Sequence, residues 1–415
     1  MKHELLYETQ AQFNTAQGNS GNVTSVTPGV AYIKETGSIP HFNKEWSTLT
    51  VVYDVDDVST PTKIRNSGLI VDELKEVFVD KERVDASSLT TTYQFNRPGI
   101  HVIRYRYSNV PADLLYDVES VFKGCSSIKS IKIPEGVVRT YVNCFKGCTK
   151  LETMTIPKTL TSFGDYCFDG CVSLTKLYIT DFNAFLNTNL AVDKSSSFFS
   201  ASPGGTIYLN KEPITNLVIP SSRTEIKNYL FYNNTGLVSV SIPESVKTIG
   251  TGTFNGCSNV INWDVDFGNF TTVRNHAFRY CKNLPENLVL TNLTSIGLFS
   301  FANTNIKTVN LPVLPRTPDG DRNSSMFAFC NDLTAITFSE NLVYLGRHPF
   351  SRNANSNLVV TFPPTTPPAT NSGYPTEWFY NGRNGRAFYV PAESLEAYRT
   401  AAVWSNYAAI IQPMP

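Results

Sequence analysis

Residues 145–168 read FKGCTKLETMTIPKTLTSFGDYCF, and residues 231–254 read FYNNTGLVSVSIPESVKTIGTGTF. Laid on each other from Phe to Phe, the two stretches share one frame. A Phe is followed three residues later by Cys or a small polar residue, then by Leu. An alternating pair of apolar residues closes on Pro, and an apolar residue with Gly precedes the next Phe. The same frame is anchored at Phe122, Phe145, Phe168, Phe231, Phe254, Phe278, Phe301, Phe327 and Phe350. Most neighbouring anchors lie 23 residues apart; one gap is 24 (254 to 278), one is 26 (301 to 327), and the interval 168 to 231 holds an insertion. A period of this length held over most of a chain is the signature of stacked supersecondary units, none of which can bury its apolar side alone.

Each slot has a physical expectation. Pairs such as Ile131 with Ile133, or Val240 with Ile242, read as a short strand whose apolar residues point inward while the residue between them points out. Pro134, Pro157, Pro220, Pro243, Pro312 and Pro363 follow the strand and, lacking an amide proton, end its ladder. Gly164, Gly250, Gly297 and Gly346 are expected to permit a tight bend. The anchor Phe is expected to fill the width of the coil and stack on its neighbours. The strands then lie parallel, and about ten turns at roughly 4.8 Å each make a sheet on the order of 50 Å long.

These residues resemble the BspA-like, or Treponema-type, leucine-rich repeats over about residues 112–391. CTKLETMTIP, GLVSVSIPESVKTIG and CNDLTAITF carry the motif. Residues 207–220, IYLNKEPITNLVIP, look like the hairpin found between repeats of that family, and FYVPAESLEAYRTAAVWSNYAAIIQP looks like its closing segment. The resemblance implies surface adhesion and binding of host or partner proteins, with no shared catalytic residues. The sequence departs from the motif where Thr180, Asp266, Leu290 and Ser339 stand in the proline slot, and by an insertion within 313–326.

The fold class expected is mainly β. A leucine-rich-repeat solenoid spans 111–391 with an insertion near 181–215. Before it come an extended arm (1–46) and an immunoglobulin-like β-sandwich (47–110), the latter read from strand-like alternation in STLTVVYDVDD and TTYQFNRPGIHVIRYRYSN. After it, residues 392–415 form a cap in which Leu395, Tyr398, Trp404, Tyr407 and Ile411 are expected to make the apolar face of one helix. Residues 16–36, AQGNSGNVTSVTPGVAYIKET, resemble leader segments of structural proteins from gut Bacteroidales phages. That resemblance implies a virion fibre, decoration or receptor-binding protein that attaches to other virion proteins through its arm. The alternative is a secreted or cell-surface BspA-like adhesin of a gut bacterium. A homo-oligomer is left open.

Composition narrows the function. The 415 residues carry 35 basic and 35 acidic side chains with no basic block, so no nucleic-acid footprint is present. The first 23 residues contain no apolar signal core, and no stretch approaches the 18 apolar residues of a membrane span. Cys144, Cys148, Cys167 and Cys171 could be read as a zinc site. However, Cys125, Cys148, Cys171, Cys257, Cys281 and Cys330 share one repeat slot with Asn234, Thr304 and Asn353, which fits a ladder of small buried side chains better than ligands or a disulfide framework. His3, His41, His101, His276 and His348 share no slot and accompany no nucleophile motif. Asp54, Asp56 and Asp57 close a strand; Asp319, Asp321 and Asn323 mimic the start of a calcium loop without its Gly and Glu; Gly204-Gly205 is a turn.

No catalytic, cofactor or metal residue is therefore assigned. The binding candidates are the outward strand positions Lys132, Thr155, Tyr178, Ser241, Asp264, Asn310, Thr337 and Thr361, which would take a protein or a surface glycan.

Overall fold

The computed structural model describes residues 23–27, 30–33, 37–38, 47–66, 74–115, 120–190, 197–202, 204–311, 325–342, 344–345, 355, 357–370 and 386–415. Phe350, Gly346, Pro312, Asn353, His3, His41, His348 and the calcium-like Asp319, Asp321 and Asn323 lie outside them.

Each turn contributes one strand to a parallel sheet, in register along the repeat. Ile131, Met154, Leu177 and Ile207 stand side by side on successive strands, as do Leu217, Val240 and Trp263, and then Leu288, Val309, Ile336, Val360, Phe388 and Ile411. All of these point inward, and all but the half-buried Trp263 are buried. A second row of short parallel strands, Glu225–Ile226, Thr248–Ile249, Thr272–Val273 and Ser295–Ile296, forms the next side of the coil.

Between them stand the anchor phenylalanines. Successive rings from Phe122 to Phe145 to Phe168, and from Phe231 through Phe254, Phe278 and Phe301 to Phe327, are stacked at 5.4–5.9 Å, within 15° of parallel. The insertion does not break this column: Phe198 contacts Phe168 at 5.1 Å, and Phe185, on the short helix Phe182–Leu186, links Phe198 to Phe231. The insertion thus contains an extra turn of unequal length. Its strand Thr206–Leu209 pairs in parallel with Lys176–Ile179 before the expected hairpin, Glu212–Pro213, folds back on it.

The cysteine slot has a geometric cause. Cys148, Cys171, Cys257, Cys281 and Cys330 each donate from Sγ to the carbonyl of the anchor Phe one turn back, at 3.0–3.2 Å. Thr304 in the same slot donates to the Phe301 carbonyl at 2.8 Å. The slot selects a small side chain with a donor, so Cys and Thr interchange there.

Two residues per turn, on either side of the anchor Phe, adopt left-handed backbone. Two residues before it stand Ser120, Asn143, Tyr166, Tyr229, Gly252, His276, Phe299 and Ser325; two after it stand Gly124, Gly147, Gly170, Asn233, Gly256, Tyr280, Asn303 and Phe329. A bulky residue there costs about 1 kcal/mol or more relative to Gly.

The glycine slot before the Phe works differently from the expected bend. Gly164, Gly250 and Gly297 are absent from the left-handed positions. They are small because the preceding turn lies against them: a Cβ on Gly297 would sit 2.2 Å from the Asn275 backbone nitrogen, and one on Gly164 would sit 2.5 Å from the Tyr141 carbonyl carbon. Gly297→Ala is expected to lower stability by about 2–3 kcal/mol, by overpacking against backbone that cannot move aside. Chemical denaturation checks this, and a midpoint unchanged from wild type would refute the close-approach reading.

The N-terminal strands join the solenoid. Ser47–Val55 pairs antiparallel with Gly99–Tyr107 on one side and with Ile128–Lys132, the first solenoid strand, on the other. Leu74–Val79 and Glu82–Val84 extend this sheet to its edge. Leu49, Val51, Tyr53 and Val55 face the core. The expected immunoglobulin-like sandwich is reduced, among the described residues, to this one sheet and a two-stranded ladder, Thr62–Lys63 with Thr92–Tyr93, held over it by Tyr53 OH donating to the Ile64 carbonyl at 2.9 Å. The acidic cluster fastens the junction: Asp54 pairs with Lys129 at 3.3 Å and Asp56 with Lys150 at 2.5 Å.

The C-terminal cap is not one helix. Helix Leu395–Thr400 stops before Val403, whose φ of 69° breaks the chain direction; a 3-10 segment Trp404–Ile410 follows, and Ile411–Pro413 is a strand added in parallel to Ala387–Val390. The expected apolar residues Tyr398, Trp404, Tyr407 and Ile411 are nonetheless buried, with Trp404 Nε1 donating to the Pro368 carbonyl and Tyr398 OH to the Pro364 carbonyl. No helix of the described residues is long and apolar enough to cross a membrane.

Candidate binding face

The alternation that buries Ile131 and its counterparts leaves two outward files on the main sheet. All eight residues singled out from the sequence fall in one of them. Lys132, Thr155 and Tyr178 are direct register partners; so are Ser241 and Asp264; so are Asn310, Thr337 and Thr361. They stand exposed or half-buried. The sheet is cut into three segments, between the hairpin at Glu212–Pro213 and Asn216–Val218, and between Asn262–Val265 and Asn287–Val289. The structure therefore brings the eight together as three groups.

Sequence reasoning missed other members of the file: Tyr208, Val218, Val289, Tyr389 and Gln412. Tyr208 matters most, because its ring stacks on Tyr178 at 4.8 Å and 28°. Its strand lies inside the insertion, where counting by 23 loses the frame. The neighbouring outward file is polar in the first two segments and turns apolar in the third, at Ala335, Val359 and Ala387; side chains bond from turn to turn along both files. Ser239 Oγ donates to Asn216 Oδ1 at 2.7 Å, Ser241 Oγ to Asp264 Oδ2 at 2.8 Å, and Thr308 Oγ1 to Asn287 Oδ1 at 2.8 Å. These bonds fix the rotamers that a ligand would meet. Lys176 stands two residues before Tyr178 on the same strand and Lys132 stands in the Tyr178 file two strands away, beyond Thr155; both are exposed, so the first segment combines aromatic faces with positive charge.

His101 and the eight cysteines are committed to the fold. His101, 1% exposed, lies between Asp80 Oδ2 at 2.5 Å and the Arg97 carbonyl at 2.8 Å, and its ring stacks on Phe95. Burial raises every cysteine thiol: Cys125, Cys171 and Cys257 to about 12 and Cys167 to about 11. Such thiols are poor nucleophiles and poor metal ligands at neutral pH. Among the described residues no three His, Cys, Asp or Glu side chains group in a way that could hold a metal ion. A polar cleft of about 180 Å³ lies where the short-strand row is interrupted, between Asn189–Leu190 and Glu225–Ile226, and Lys227 Nζ crosses it to Asn189 Oδ1 at 2.8 Å.

The stretch RNHAFRYCK at 274–282 adds a cation set among aromatic rings. It places Arg279 between aromatic rings on the turn side of the coil, 4.7 Å from the centre of Tyr280 and 5.3 Å from that of Phe299.

Parallel strands at a 23-residue period, a stacked Phe column and an open polar sheet face together define a leucine-rich-repeat solenoid. The family model described as BspA type leucine rich repeat region matches in six copies over residues 109–197, 204–316 and 321–370, and the chain belongs to that family. Among solved structures, it is similar to a leucine-rich repeat protein from Bacteroides ovatus (16% identity, 83% of this chain and 99% of that one, TM-score 0.38). It is also similar to the pneumococcal vaccine antigen PcpA (16%, 69% and 76%, 0.36) and to a leucine-rich repeat protein from Eubacterium ventriosum (16%, 63% and 83%, 0.35). A comparison with curated proteins found no match.

Proposed function

We propose that this protein is a non-catalytic adhesin acting at a cell surface or outside the cell, and that it holds a protein or surface glycan on its open sheet face. The observation that carries this reading is the stacked Tyr178–Tyr208 pair, with Lys176 beside it and Lys132 two strands along the same file, continued by side chains that bond from turn to turn. Stacked aromatic rings on a rigid sheet lose little freedom on binding and offer faces to sugar rings or peptide side chains. The virion reading drawn from residues 16–36 gains no support from the comparisons; the surface alternative is compatible with them.

The test is retention of purified protein on intact epithelial cells and on immobilised mucin. Tyr178→Ala combined with Tyr208→Ala is expected to weaken retention about tenfold or more, since aromatic anchors at binding faces are worth about 2 kcal/mol or more. The melting temperature should stay within a few degrees, because both rings are only half-buried. Equal retention of the double variant on both surfaces would overturn the assignment of this face.

A further inference from the structure

We propose a second docking surface, on the turn side of the coil around Arg279, that takes an acidic segment of a partner protein. It is separate from the sheet face and rests on different side chains.

The repeat supplies the comparison. Arg279 follows its anchor Phe278, and the equivalent residue after Phe145 is Lys146. Both are cations placed over an aromatic ring: Lys146 Nζ lies 5.7 Å from the centre of Tyr166, and Arg279 sits against Tyr280 and Phe299. Lys146 is neutralised by Asp169, the same slot one turn on, at 2.8 Å. In the turns around Arg279 that slot holds Tyr232, Asn255 and Ala302 instead. Arg279 makes no ion pair among the described residues, and neither do Arg274 or Lys282 in the same turn. Its guanidinium is already positioned, with Nη2 donating to Tyr280 OH at 3.0 Å. Lys282 Nζ lies 6.0 Å from the same ring. Arg274, Arg279 and Lys282 thus stand without a carboxylate partner among the described residues, whereas Lys146 has one.

The rings around these charges hold costly backbone. Tyr229, His276, Tyr280 and Phe299 have φ of 57°, 58°, 65° and 53°, in slots that in most other turns hold Gly, Asn or Ser and in two hold Tyr166 and Phe329. Gly252 lies beneath the tyrosines: a Cβ on it would come within 2.6 Å of the Tyr229 ring, and Tyr232 packs edge-on against Tyr229 at 6.1 Å. Tyr280 is 39% exposed. The fold thus retains strained tyrosines that present rings to solvent beside unpaired cations, and such strain gathers at working surfaces. Tyr and Arg together are the side chains of protein-binding hot spots, and a carboxylate is the natural mate of a stacked, oriented guanidinium. An acidic peptide with aromatic residues fits both features.

The probe is a fluorescent random copolymer of Glu and Tyr, titrated with the full chain at 25 mM and 300 mM NaCl. Binding is expected at low salt and is expected to weaken at high salt. Arg279→Gln with Lys282→Gln should weaken it at least tenfold, while Tyr178→Ala with Tyr208→Ala should leave it unchanged, so failure here is distinguishable from failure of the sheet-face reading. Tyr280→Asn installs a residue the slot holds at 233 and 303. It should weaken binding at least fivefold with a melting temperature no lower than wild type, an outcome that a packing role for Tyr280 would not produce. Copolymer binding that survives Arg279→Gln with Lys282→Gln, or displacement by heparin at lower concentration than by unlabelled copolymer, would overturn a protein-docking role.

Discussion

Raising the pH from 8 to 11 is expected to unfold the solenoid. All eight cysteines are buried as thiols, and burial is the leading cause of the rise in each of their pKa values. In the unfolded chain these thiols ionise near pH 8.5. In the folded chain Cys167 holds its proton to about 11 and Cys125, Cys171 and Cys257 to about 12. The folded pKa is raised, so the neutral thiol belongs to the fold. Its contribution is complete below about pH 8.5 and is lost as pH climbs toward the folded values. Each thiol ionised only in the unfolded state removes about 1.4 kcal/mol per pH unit. With the seven most strongly raised thiols acting together the slope approaches ~10 kcal/mol per unit, comparable to the whole stability of an ordinary domain. Buried tyrosines such as Tyr105, also raised by burial, add to the loss once unfolded phenols ionise near pH 10. The melting temperature followed from pH 7 to 11 checks this, together with thiol labelling by a chromogenic disulfide. The native protein should label slowly at pH 8, and all eight thiols should appear with loss of the β signal. A melting temperature flat to pH 10.5, or full labelling with the fold intact, would sink the prediction.

Phe254→Ala is expected to cost about 3–5 kcal/mol, the range for deleting a fully buried aromatic ring. Phe254 is 0% exposed; it stacks on Phe231 at 5.5 Å and Phe278 at 5.6 Å and meets Trp263 edge-on at 5.6 Å. Removing it opens a gap in the middle of the column, where the contact between neighbouring turns is what holds the array together. Unfolding by guanidinium should then shift to a lower midpoint and broaden, as the turns on either side lose their coupling. Phe254→Leu should recover most of the loss. An alanine variant within 1 kcal/mol of wild type would mean that the column fills space without coupling the turns.

Much of this architecture was legible in the chain. Period 23 named the stacked turns, the anchor Phe named the column, and the alternation in segments such as Ile131-Lys132-Ile133 placed eight outward residues in one file. These readings succeed because they are local: side chains on a strand alternate whatever lies beyond the strand. The thiol slot was read correctly as small and buried, although the donor to the Phe carbonyl one turn back was not foreseen. The glycine slot was misread as a bend, because the backbone that crowds Gly297 belongs to Asn275, a turn away.

What only the tertiary structure decided has a common cause. The Tyr178–Tyr208 pair, the two cuts in the sheet, the fusion of Ser47–Val55 to Ile128–Lys132 and the unneutralised Arg279 all depend on which residue of one turn lies beside which of the next. Inside an insertion of irregular length that partner cannot be counted from the period. Across the sheet edge it is set by strand pairing between segments about 75 residues apart. By itself the sequence determined the coil, its core and the face it shows; the neighbour across each turn, and with it the binding chemistry, came from packing.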